Sequence, residues 1–257
     1  MNKSRFYSSE GIGSVIYKQI RNCGQVGKEF STNFGEGKPS ARVAKDFLER
    51  LIDNIVKKSV LYYKETGDYV FTQGERQMHS VVCPSIAAIT RTFLMEHPLK
   101  RKSSKKEEHG GFVDYWITYR KCAFFMELKH SFFTYRNAKN PRKDITKRFE
   151  SALNQLGSIS KDEYWGLGKG VRWVDTIAFE TITFRNWSKN KISKSDLRNE
   201  SFKSSLNELM KNREWNNLKP NLWALWILNK SLVKPIKYQN EGREIYPAVA
   251  FVGKVIF

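Results

Sequence analysis

Two runs rich in β-branched and aromatic residues, Phe112 to Tyr119 and Cys122 to Phe133, stand with only Arg120 and Lys121 between them. Runs of that composition and length read as strands, and so short a gap pairs them as an antiparallel hairpin. Around them the apolar residues recur at a different period. Val43, Phe47, Leu48, Leu51, Ile52, Ile55 and Val56 follow helical spacing, as do Met78, Val82, Ile86, Ile89 and Phe93, and later Ile145, Phe149, Ala152, Leu153, Leu156 and Ile159. The second helix is expected over about Glu75 to Glu96, kinked or divided at Pro84. Residues 24 to 40, rich in Gly and polar side chains, read as loop, and residues 99 to 111 as a solvated basic loop. A third β-rich run, Val171 to Phe184, follows the third helix. The polar stretch 186 to 220 is helical around Phe202 to Met210, and strands return near Leu222 to Leu228 and Tyr246 to Phe257. This order predicts an α/β fold, a central mixed β-sheet flanked by helices. Residues 1–70 form an N-terminal helical elaboration, 71–185 the core, and 186–257 a basic elaboration on the same domain.

Composition narrows the function. The 257 residues carry 45 Lys and Arg against 26 Asp and Glu, a net charge of +19, so a polyanionic partner is expected and nucleic acid suits it best. A membrane suits it less. The longest apolar run, Leu222 to Leu228, is far short of a spanning helix, no basic amphipathic helix has a clean apolar face, and the N-terminus lacks a secretory apolar stretch, so a cytoplasmic protein is expected. Cys23, Cys83 and Cys122 are odd in number and unpaired in spacing, and His79, His97, His109 and His130 are scattered, which argues against disulfides and zinc alike. No repeat is visible.

The chemistry concentrates in the hairpin. Glu127 and Lys129 are two apart and share one strand face, with Met126 and Leu128 on the other. Pairing about a turn centred between Arg120 and Lys121 puts Asp114 directly opposite Glu127. Arg120-Lys121 is not a favoured two-residue turn, and a longer loop with the same centre keeps that pairing. Cross-strand neighbours lie about 4.5–5.5 Å apart at Cβ, close enough for two carboxylates to share a cation such as Mg²⁺. Without a cation or a nearby Lys, two like charges so placed destabilise the sheet.

Asp114 with Glu127-Leu128-Lys129 resembles the D…(D/E)xK signature of the PD-(D/E)xK nuclease superfamily, with Val113 where the family name has Pro. A second ExK, Glu36-Gly37-Lys38, lies among Gly35, Gly37 and Pro39 in the expected loop and lacks that setting. The resemblance covers about residues 75 to 185 and implies a restriction-endonuclease-like αβββαβ core. It implies an upstream helix often bearing a Glu, for which Glu75 is the candidate with Glu49 in reserve. Gln155 stands on the helix where RecB-like members carry a Gln. The activity implied is metal-dependent hydrolysis of phosphodiester bonds, in DNA ahead of RNA and by endonuclease ahead of exonuclease action, in a setting such as restriction or phage defence. Asp114, Glu127 and Glu75 would then ligate Mg²⁺ or Mn²⁺, and Lys129 would orient the attacking water or stabilise the transition state. Lys100, Arg101, Lys102, Lys105 and Lys106, with the basic residues after Lys189, would grip phosphates. His130 turns to the opposite face, and Trp116 and Trp165 are read as core ahead of base-stacking. A homodimer or an accessory protein would be a further partner. Two alternatives stand beside this reading: a non-catalytic basic nucleic-acid-binding module, and a basic assembly protein of a phage or mobile element.

Overall fold

The computed structural model of the protein describes residues 16–102, 108–134, 143–164, 170–188, 199–211, 213–233, 236–238 and 242–257. In chain order the elements are β1 (Ile16–Ile20), β2 (Gly24–Phe30), α1 (Ala41–Thr66), α2 (Glu75–Ala87), β3 (Phe93–Lys102), β4 (Glu108–Tyr119), β5 (Cys122–Thr134) and α3 (Lys143–Gly157). They continue as β6 (Trp173–Ser188), α4 (Asn199–Met210), α5 (Arg213–Leu218), β7 (Leu222–Leu228), β8 (Ile236–Tyr238) and β9 (Gly242–Ile256). The strands form one open sheet in the order β1-β2-β7-β9-β6-β5-β4-β3, with β8 added on β9. Pairing is antiparallel except between β5 and β6, which run parallel and are joined by way of α3. A parallel neighbour needs such a crossover, whereas a hairpin does not. The fold is α/β with a mixed sheet, as expected from the sequence.

Strand alternation divides the core into two layers. Phe124, Met126 and Leu128 of β5 join the cluster under α1 and α2, where Phe47 stacks on Phe124 at a centroid distance of 5.1 Å. Phe125 and Phe133 join the opposite cluster with Ile145, Phe149, Ala152 and Leu156 of α3 and with Trp215 of α5. Glu127 and Lys129 have the parity of Phe125 and Phe133, which places them on the α3 side. α1 stops where Gly67 takes φ +77 and returns its amide to the Tyr63 carbonyl, a conformation that costs glycine little.

Several sequence expectations are corrected here. Residues 24 to 30 are a strand, paired to β1 and β7, so the N-terminal stretch contributes two strands to the sheet besides its helix. α2 ends at Ala87, and Phe93, expected on its apolar stripe, instead pairs with Ile117 across β3 and β4. Pro84 lies within α2 without dividing it. The basic stretch from residue 99 continues β3 rather than forming a loop. Leu99 and Arg101 turn inward while Pro98, Lys100 and Lys102 stay exposed, the period of a strand. A short segment after α3 lines the outer edge of β3. The Lys102 amide donates to the Ser158 carbonyl at 2.7 Å and the Ser160 amide to the Lys100 carbonyl at 2.9 Å. Charge masked that alternation in the sequence. Arg120 and Lys121 do make the two-residue turn, with Arg120 at φ +55 and its guanidinium 3.1 Å from Asp46.

Candidate active site

The β4–β5 ladder follows the expected register, from Tyr119 opposite Cys122 to Tyr115 opposite Met126, and then ends. Asp114 and Glu127, expected to face each other as the next pair, form none. On its other side β4 pairs Tyr115 with Met95 and next Val113 with His97, and Glu96 between them takes φ +48. Asp114 therefore sits where both of its ladders are interrupted. The strand's facing reverses across it: Tyr115 packs under α1 and α2, Val113 on the α3 side.

Beyond Met126 the edge of β5 is open to side chains. The Leu128 amide donates to Asp114 Oδ2 at 2.7 Å, and the His130 amide, two residues on and facing the same edge, donates to Glu75 Oε2 at 3.3 Å. Two carboxylates thus take up amides that a continuing β4 would have used, since buried backbone donors are rarely left unpaired. Glu75 reaches this edge from the first turn of α2. Its Oε1 lies 3.4 Å from Lys129 Nζ, and its Oε2 lies 3.9 Å from Arg148 of α3, which donates to the His130 carbonyl at 3.2 Å. Asp114, Glu75 and Lys129, distant in the chain, are brought together in the wedge between diverging strands. Glu49, the reserve candidate, lies elsewhere on α1, where its carbonyl accepts from Lys28.

Glu127 is buried, and Arg101 Nη2 donates to its Oε1 at 2.7 Å. Arg101 also donates to the carbonyls of Gln155 and Phe112 and, at 3.2 Å, to the Ser158 hydroxyl. Expected as a surface phosphate contact, it is an inward clamp instead, because strand alternation turns it away from Lys100 and Lys102. Gly111 gives it room, as a Cβ there would stand 2.8 Å from Arg101 Cδ. Burial first and the Asp114 charge second push the Glu127 carboxyl up to about 7, against the opposing pull of Arg101 and Lys129. Gln155 is half-buried on α3 beside this pair, and its side-chain oxygen is buried with no hydrogen-bond partner among the described residues.

Other residues fall as follows. His130 turns to the far face as expected, where it is buried, shares a 3.0 Å hydrogen bond with Thr183, and is held by burial down to about 4. Trp116 stacks on His97 at 5.7 Å and packs against the α3-side core. Lys100 and Lys102 are exposed, whereas Lys105, Lys106, Trp165, Lys189, Lys191, Lys194 and Arg198 lie outside the described residues; of the later basic residues, Lys211, Lys219 and Lys230 are exposed. Sequence reasoning missed Arg148 and Glu180. Glu180 is paired in register with Lys129, fully buried, accepts from the Ser131 hydroxyl, and is pushed up to about 8 by burial. Its signal was there to read: an acid within the β-branched and aromatic run Ile177 to Phe184.

Among the described residues no group of three or more His, Cys, Asp and Glu side chains is set to hold a metal ion. Asp114 and Glu127 beside Lys129 have the donor chemistry that a hydrated Mg²⁺ or Mn²⁺ takes, because Mg²⁺ keeps several waters and takes only one or two protein carboxylates. All three cysteines are free, and no helix is long and apolar enough to cross a membrane among the described residues. Comparison with protein-family models, with curated proteins and with solved structures finds no match.

Proposed function

We propose that this protein is a metal-dependent nuclease with a PD-(D/E)xK-like site that hydrolyses phosphodiester bonds, in DNA ahead of RNA. The observation that carries the reading is the position of Asp114. Its carboxylate stands in the gap where β4 leaves β5, bonded to the amide within Glu127-Leu128-Lys129, with Lys129 and Glu75 on the same open edge. The order α2, β3, β4, β5, α3, β6, a three-stranded meander followed by a helical crossover to a parallel strand, supports this reading.

Asp114 and Glu127 would hold the cation, with Glu75 as a further donor. When bound, the ion supplies an activated water and neutralises charge on the scissile phosphate. The chain's own residues do the rest. Lys129 brings a positive charge to the phosphate or the attacking water, held meanwhile by Glu75. Arg101 keeps Glu127 oriented through four hydrogen bonds that tie together β3, β4, β5 and the end of α3. The high net charge supports a polyanionic substrate.

One observation favours a second reading, a nucleic-acid-binding module without catalysis: Glu127 is already paired with Arg101 and Lys129 with Glu75. Purified protein incubated with circular and linear, single- and double-stranded substrates separates the two. Cleavage that needs Mg²⁺ or Mn²⁺, stops in EDTA and is lost in Asp114→Ala and Lys129→Ala supports the nuclease. Equal binding with and without EDTA, and no shortening of any substrate, supports the binding module.

A further inference from the structure

Phe112 is 64% exposed, the most exposed large apolar side chain among the described residues, and it lies two residues before Asp114 on β4. Leaving so much aromatic surface in water forgoes the stabilisation that burying a Phe contributes. The β3–β4 register shows what surrounds it. Pro98 pairs with Phe112, Lys100 with Gly110, and Lys102 with Glu108, all on the outward face, while Leu99, Arg101 and Val113 alternate inward. A Cβ on Gly110, beside Phe112 on that face, would meet nothing within 4 Å. A flat ring therefore has open backbone next to it and lysines on the neighbouring strand. The Lys100 side chain is 64% exposed and its ammonium lies 3.7 Å from Glu108, a solvent-screened pair that competes weakly with a phosphate. Beneath this face, Arg101 donates to the Phe112 carbonyl and to Glu127, so the backbone under the ring is fixed to the candidate site.

We propose that Phe112, with the bare Gly110 beside it and Lys100 and Lys102 across the hairpin, is a stacking shelf for one unpaired base of a nucleic-acid strand. The inference rests on the nucleic-acid reading above and adds a preference for single-stranded or frayed substrate. Stacking accepts any base, because each has a π-face, and the lysines hold the adjoining phosphates. At about 3.4 Å per residue the shelf lies about 7 Å along β4 from Asp114, which sets the strand entering the wedge.

The test is binding of fluorescent single-stranded and double-stranded oligonucleotides to the full chain in EDTA, so that cleavage plays no part. Phe112→Ala should weaken single-stranded binding roughly 5- to 150-fold with an unchanged salt slope, and Phe112→Trp should restore it. The double variant Lys100→Gln/Lys102→Gln should instead lower the salt slope by about 2. Because Phe112 is exposed, melting of its variants should match the parent. Parent-like affinity in Phe112→Ala overturns the shelf, as does a loss confined to duplex. So does a parent dimer that Phe112→Ala dissociates without changing nucleic-acid affinity, since a second copy would then be the occupant. A parent that binds no nucleic acid overturns both the shelf and the function it rests on. A parent that binds as described but whose Asp114→Ala variant still cleaves overturns only the catalytic reading, and the shelf stands.

Discussion

The two halves of β5 are one strand in two environments. From Cys122 to Met126 it is paired on both edges, with β4 and with β6, and every side chain is buried and apolar. From Glu127 onward it keeps β6 but has lost β4, and Glu127, Lys129, His130 and Ser131 appear in the row. Releasing one ladder exposes amides that only other acceptors can take, and the acceptors supplied are carboxylates of Asp114 and Glu75. The first half holds the sheet together. The second places acids and a lysine on a fixed edge, and rigid strands position such groups better than loops do.

The sharpest way to break this comparison is to exchange what each half loses on mutation. Asp114→Ala and Lys129→Ala should lower metal-dependent cleavage by about 100-fold or more, measured as initial rates. Binding should stay unchanged or tighten for Asp114→Ala, because a negative charge leaves a phosphate site. Phe124→Ala, in the paired half, should cost about 3–5 kcal/mol of unfolding free energy by denaturant titration, with cleavage per folded molecule near the parent's. A catalytic collapse in Phe124→Ala at temperatures where it is folded would erase the distinction.

A smaller effect sharpens it further. Glu127 titrates at about 7 in the folded protein against an ordinary 4.5, so between those values the folded state holds a proton that the unfolded chain has released. That contribution to stability is full below about 4.5, declines as pH rises to about 7, and is flat above. Glu127→Gln cannot titrate. Its stability difference between pH 5 and pH 8 should be smaller than the parent's by about 2 kcal/mol, whereas Phe124→Leu should leave the parent's pH slope intact. The smallest effect lies at the turn, where Arg120 holds φ +55. Arg120→Gly should raise stability by about 0.5–1 kcal/mol, less the little that its exposed pair with Asp46 contributes, and leave cleavage untouched.

Much of this was legible because it is local. β-branched and aromatic composition identified β4 and β5, the narrow gap set their register, and Val43 through Val56 marked the face of α1 that Phe47 and Leu51 bury. The same count put Asp114, Glu127 and Lys129 in one neighbourhood, although the direct Asp114–Glu127 pair it predicted does not form. Where local signals conflicted, reading by composition failed: glycines hid β2, and lysines hid the alternation of β3.

What the chain's own periodicities decided, then, is which residues share a face and which strands adjoin. What only the tertiary structure decided is where a ladder stops. Nothing between Trp116 and Phe125 announces that pairing ends after Tyr115 and Met126. That depends on Glu96 at φ +48 in β3, on α2 bringing Glu75 to the open edge, and on Arg101 reaching across from β3 to Glu127. Each of the last two is a contact between residues more than twenty positions apart in the chain. Its free energy comes from burial and charge in the assembled core, and no local pattern encodes it.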